Sequence, residues 1–159
     1  MLPDLDFAYG IFVLFDEAVG HPDVTFSEET VAQGFSRAES GAWFKTPLEF
    51  GDGYLRVAIG PFEATGDYDR AVAVPFHCIS GCVTIAGPDE PLEEQRSFDL
   101  PPGYYRLTVA QRVVDEEGED IDLFFEPLAE PAKWSEVLIA DESMRPPGVI
   151  EQEAGNLGN

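Results

Sequence analysis

The chain has 159 residues, 44% of them apolar and 12% aromatic, enough to bury one core without disulfide or metal staples and too apolar for intrinsic disorder. Its 31 acidic residues stand against 9 basic ones, a formal net charge of -22, and it lacks the Lys and Arg clusters that phosphate binding needs, which excludes nucleic acid as a direct ligand. The apolar run at residues 11–15 is far too short to span a bilayer, and no basic region precedes it as in an export signal.

Two cysteines, Cys78 and Cys82, are too few for a disulfide framework and fit a reduced, cytoplasmic setting. Self-repulsion at this net charge destabilises the compact state, and a basic partner relieves it. A generally acidic, salt-adapted surface gives the same number, because net charge speaks only to solubility and association.

Residues 7–15 are aromatic and β-branched and read as an opening strand, with Asp16 and Glu17 returning the chain to water. A helix is predicted next. Ser27 is its N-cap, Glu28 and Glu29 complement the dipole, and Phe26 and Val31 sit at hydrophobic-staple spacing. Val31 and Phe35 would share a face, with Gly34 weakening the last turn. Residues 42–46 and 54–60 follow as strands, separated by Pro47 and a loop at Gly51-Asp52-Gly53.

The central stretch, residues 71–108, organises the rest. Val72, Val74 and Phe76 alternate with smaller residues, Ile79-Ser80-Gly81 supplies turn chemistry, and residues 82–86 read as the second arm of a hairpin. After an acidic loop Phe98 and Leu100 alternate, Pro101-Pro102-Gly103 forces a corner, and Tyr105, Leu107 and Val109 point one way from a further strand. Val72, Val74, Phe76, Val83, Ile85, Phe98, Leu100, Leu107 and Val109 are therefore the expected core. Residues 121–125 form another apolar run, and 134–139 are short enough to be strand or helical turn. Residues 142–159 hold few apolar anchors and read as a tail behind a domain of residues 1–141. The fold class predicted is all-β: a single-domain antiparallel β-sandwich or flattened barrel with one short N-terminal helix.

Within the central stretch, Val72-Ala73-Val74-Pro75-Phe76-His77 and Ser97-Phe98-Asp99-Leu100-Pro101-Pro102-Gly103-Tyr104-Tyr105-Arg106-Leu107-Thr108 together resemble the competence protein J (ComJ) family. Phe26-Ser27-Glu28-Glu29, with Gly34-Phe35 behind it, is similar to that family as well. The likeness covers residues 7–108. It implies a small intracellular protein that binds and silences a DNase. The sequence departs from the pattern after Gln111, where an acidic run and an extra tail appear.

That run, Asp115, Glu116, Glu117, Glu119 and Asp120, joined by Asp122, is the densest charge in the chain. A nuclease surface that grips phosphates is basic, so a row of carboxylates can occupy it in their place, steering encounter and competing with substrate. A charged hairpin tip that keeps sheet edges from aggregating has the same composition. Asp89, Glu90, Glu93 and Glu94 form a second acidic patch that would extend the surface. Binding of this kind needs no cofactor.

Other chemistries are open. His77, Cys78 and Cys82, with His21, contain zinc-ligand types, but alternation puts His77 and Cys78 on opposite faces and no second close pair completes the set. Gly66-Asp67-Tyr68-Asp69 and Glu119-Asp120-Ile121-Asp122 offer hard oxygens without the spacing of a calcium loop. Ser80 lacks a nucleophile elbow, so a hydrolase would rest on a carboxylate pair. A carbohydrate- or calcium-binding sandwich would display exposed aromatics, for which Trp43, Tyr54 and Tyr68 are candidates.

Overall fold

Val72, Val74, Phe76, Val83, Ile85, Leu100, Leu107 and Val109 are buried in one continuous cluster, with Phe98 half-buried against it, as alternation predicts. The computed structural model describes residues 4–24, 26–64 and 67–151. Among them the chain runs through β1 (Leu5–Phe7), β2 (Ile11–Asp16), α1 (Glu28–Gln33), β3 (Phe35–Ala38), β4 (Gly41–Lys45), β5 (Gly51–Ile59) and β6 (Arg70–Cys78). It continues through β7 (Cys82–Ala86), β8 (Arg96–Asp99), β9 (Gly103–Asp115), β10 (Gly118–Leu128), β11 (Ser135–Ile139) and β12 (Gly148–Ile150). A seven-stranded sheet has the order β1-β5-β10-β9-β6-β11-β12, and a five-stranded sheet the order β3-β4-β2-β7-β8.

The two sheets face each other as an all-β sandwich and do not close into a barrel. Phe98 of β8 lies edge-on to Phe125 of β10 across the core, with ring centroids 5.7 Å apart. The described pairings are antiparallel except β5 with β10, which run parallel and set Ile121 beside Leu55.

Several expected elements are divided differently. Residues 7–15 hold the end of one strand and most of another. The chain leaves β1, turns through Tyr9 and Gly10, both at positive φ, and enters β2 in the other sheet. The helix stops at Gln33, because Gly34 adopts the left-handed conformation and donates its N–H to Thr30 and Val31 carbonyls. Phe35 begins β3, so Val31 is left exposed and the expected Val31–Phe35 face does not form. Ser27 caps the helix as predicted, with Thr30 completing the reciprocal pair of bonds. The loop expected at Gly51-Asp52-Gly53 is the start of β5, and residues 135–139 are strand.

Ile79-Ser80-Gly81 does not close a hairpin. It carries the chain from β6 in the larger sheet to β7 in the smaller one. The buried Asp16 carboxylate holds this arch, accepting from Ile79 N at 2.6 Å, Ser80 N at 2.9 Å and Ala18 N at 2.9 Å. Burial opposes its charge, but donations from Ser80, Ile79 and Ala18 outweigh it and hold the carboxyl below its ordinary range. The Pro101-Pro102-Gly103 corner crosses back from β8 to β9. There Gly103 has φ 152° and the Tyr105 hydroxyl donates to Pro101 O at 2.5 Å.

The predicted tail contains structure. β12 pairs with β11, Ile150 is buried in the core and Met144 packs against it, so the boundary at residue 141 falls inside the fold.

Candidate protein-binding surface

β9 and β10 form a long hairpin whose turn is Glu116-Glu117. Asp115, Glu116 and Glu117 are exposed, and Asp115 Oδ1 accepts from Glu117 N at 2.9 Å. Because β10 pairs in parallel with β5, the tip stands against the start of β5, where Asp52 N donates to Glu117 O at 2.9 Å. β1 lies on the far side of β5, with Asp6 directly opposite Asp52 and both exposed. Like charges in facing positions destabilise a sheet. Partial burial and then the charges of Asp115, Asp52, Asp4 and Glu117 push the Tyr54 phenol up, so four carboxylates act together on one side chain.

The rest of the acidic run obeys strand alternation. Glu119 shares the inward face with Ile121, Leu123 and Phe125 and is fully buried. Its Oε1 accepts from Gln111 Nε2 at 3.0 Å and its Oε2 from Leu48 N at 3.3 Å. Burial dominates these donors and pushes the carboxyl up to about 7. Asp122 is buried on the opposite face, accepting from Arg56 Nε at 2.8 Å, Arg56 Nη2 at 2.6 Å and the Tyr68 hydroxyl at 2.6 Å. Burial, then the bond to Asp122, pushes the Tyr68 phenol up to about 12. Asp120, half-buried, accepts from Arg112 Nη2 at 2.7 Å, and Arg112 lies over the Tyr68 ring. Asp115, Glu116 and Glu117 therefore form the exposed tip, whereas Glu119 and Asp122 are interior groups and leave the predicted contact set.

The second patch divides similarly. Asp89, Glu93 and Glu94 are exposed, but the Glu90 side chain is buried against Arg96, with both carboxylate oxygens accepting guanidinium bonds of 2.6 Å. Gly87, at the head of this loop, is so close to β1 that a Cβ on it would meet Asp6 O at 1.9 Å. The two acidic segments are thus linked by a run of neighbours through Gly87, Asp6, Asp52 and Glu117.

The zinc-ligand types singled out in the sequence are not brought together among the described residues. Cys78 is buried and donates to Leu100 O at 3.4 Å; burial pushes its thiol up, and burial with Glu17 pushes that of Cys82 up to about 11. His77 faces the other way, stacked on Tyr104 with centroids 4.5 Å apart and its Nδ1 3.3 Å from Glu39. His21 packs on Phe15. Among the described residues, no three His, Cys, Asp or Glu side chains are arranged to hold a metal. Of Gly66-Asp67-Tyr68-Asp69, Gly66 lies outside the described residues, Tyr68 bonds Asp122, and Asp69 accepts from Val113 N at 2.7 Å. Trp43 packs against the Val13, Phe15 and Ala86 cluster. Among the described residues, no helix is long and apolar enough to cross a membrane.

The fold and this edge define a small acidic β-sandwich with a carboxylate-rich margin. Residues 4–127 match Competence protein J (ComJ), and the chain belongs to that family. It is 25% identical over 105 residues to the DNA-entry nuclease inhibitor of Bacillus subtilis (strain 168), an alignment covering 66% of this chain and 76% of that protein. Its fold is similar to the crystal structure of ComJ from Bacillus subtilis, described there as inhibitor of the DNA degrading activity of NucA. The TM-score is 0.70 at 21% identity, over 80% of this chain and 96% of that one.

Proposed function

We propose that this protein binds a DNA nuclease and inhibits it without catalysis, its exposed acidic edge occupying the basic surface on which the nuclease holds DNA. The supporting observation is the β1–β5–β10 register, which sets Asp6 opposite Asp52 and holds Asp52 against the Asp115–Glu117 tip through Asp52 N bonded to Glu117 O. Repulsion among these groups is relieved when cationic side chains approach, so free energy lost in folding is partly recovered on binding. Family membership and the relatives described as nuclease inhibitors point the same way. Inhibition by occupancy needs no cofactor. Asp89, Glu93 and Glu94 would widen the acidic field.

The test uses a purified DNase from the protein's own organism. Wild type and the triple variant Asp115→Asn, Glu116→Gln, Glu117→Gln are compared by DNA cleavage and by association kinetics at low and high salt. Wild type should inhibit, and the variant should associate about tenfold more slowly at low salt, the gap narrowing as salt screens the field. A wild-type protein that neither binds nor inhibits the nuclease would end this reading.

A further inference from the structure

Tyr9 and Phe50 form an exposed aromatic pair beside the acidic edge. Their rings meet edge to face with centroids 5.6 Å apart, yet the two residues are 61% and 56% exposed. Tyr9-Gly10 is the two-residue turn between β1 and β2, closed by Ile11 N donating to Ala8 O at 3.2 Å. Its residues have φ of 59° and 69°, as a type I′ turn requires. Asn, Asp or Gly suits the first of these positions, and a bulky aromatic does not. A tyrosine in left-handed backbone with most of its side chain in water contributes little to the core, and strain of this kind collects at functional positions.

The surroundings say what would cover the pair. Gly10 N donates to Glu49 O at 2.7 Å, fixing the turn to the segment that carries Phe50. Two residues after Phe50, Asp52 N bonds the Glu117 carbonyl at the acidic tip. Glu49, Asp52, Glu116 and Glu117 are exposed around this segment. An apolar centre with charged surroundings is how protein interfaces are built, and tyrosine is prominent among the residues that dominate their binding energy.

We propose that Tyr9 and Phe50 are the apolar anchor of the inhibitory surface, inserting into a hollow of the nuclease rimmed by Lys and Arg. This rests on the nuclease reading above and adds what the carboxylates lack: charge steers encounter, whereas a desolvated aromatic anchor holds the complex and sets its dissociation rate.

Tyr9→Asn and Phe50→Ser are made separately, and each is measured for denaturation midpoint and for binding kinetics against the same purified DNase at low and high salt. Tyr9→Asn should keep or raise the midpoint, because Asn suits the turn, while the Kd of each variant rises at least tenfold through faster dissociation that persists at high salt. Wild-type dissociation rates in both variants, with wild type binding normally, would overturn the anchor and leave the inhibitor reading standing. Failure of wild type itself to bind would overturn the nuclease reading and this occupant with it. A fall in the Tyr9→Asn midpoint would overturn the strain argument. A wild-type dimer that Tyr9→Asn converts to monomer would assign the pair to a second copy of this chain and overturn the proposal.

Discussion

Glu119→Gln takes a buried carboxylate out of the sandwich while nearly preserving its shape. In an unfolded chain this carboxyl titrates near 4.5, whereas burial among β9, β10 and the 45–48 segment raises it to about 7. Below pH 4.5 both states are protonated and nothing is lost. As pH rises from 4.5 to 7 the unfolded chain releases its proton first, so stability falls; above 7 both states are ionised and the penalty is complete. A displacement of this size is worth about 3 kcal/mol, and the full burial of Glu119 means that solvent screening does not reduce it. The substituted amide escapes the penalty and resembles the protonated acid, since its NH2, like the acid O–H, faces Gln111 or Leu48 N, so the variant should start near wild type in acid. The informative quantity is therefore the shape of the difference between the proteins. Urea denaturation followed by Trp43 and Trp134 fluorescence, in half-unit steps from pH 4 to 8.5, should show the variant gaining about 3 kcal/mol on wild type across pH 4.5–7 and level thereafter. The remaining carboxylates are common to both proteins and cancel. Parallel curves with a constant offset would refute the argument, because Glu119 would then ionise alike in the folded and unfolded chain.

Gly103→Ala should cost about 1–3 kcal/mol in chemical denaturation, from strain alone: φ is 152° and nothing lies within 4 Å of the new Cβ, so an unchanged midpoint would show that the corner relaxes freely. Asp16→Asn should destabilise by about 1–3 kcal/mol at neutral pH, because an amide oxygen cannot replace both carboxylate oxygens for three backbone donors. The folded-state pKa of Asp16 is lowered, so its contribution is present above the unfolded value near 3.8 and lost as pH falls through the folded one; the variant's deficit should shrink in strong acid, and a pH-independent deficit would contradict the role given to its charge.

The core was legible because a strand exposes its period directly: Val72, Val74 and Phe76 share a face whatever the strand's neighbours are. Sheet membership was not, since Ile79-Ser80-Gly81 offers the same turn chemistry to a hairpin and to an arch. The deciding partner, Asp16, lies 63 residues from Ile79. Within the acidic run the same period carried more information than its charge. Ile121, Leu123 and Phe125 mark the inward face, which places Glu119 with them and Asp120 and Asp122 on the other. The contribution of Asp4 and Asp52 could not be read from the sequence, because only the β1–β5–β10 register brings them beside the tip. Tyr9 escaped notice inside an unbroken apolar run, where the turn shows only as Gly10.

The parallel seam between β5 and β10 also bears on when the surface comes into being. The β9–β10 hairpin needs only a two-residue turn, a local event, whereas Arg56 reaches Asp122 across a sequence separation of 66. Closing so long a loop draws the β5 carboxylate, Asp52, toward those of the tip, against their repulsion. A nascent or partly folded chain can therefore carry a finished hairpin, with Asp115, Glu116 and Glu117 in place, and still lack Asp52, Asp6 and Phe50 beside it. On the proposed surface, binding competence would follow completion of the seven-stranded sheet rather than of the hairpin alone.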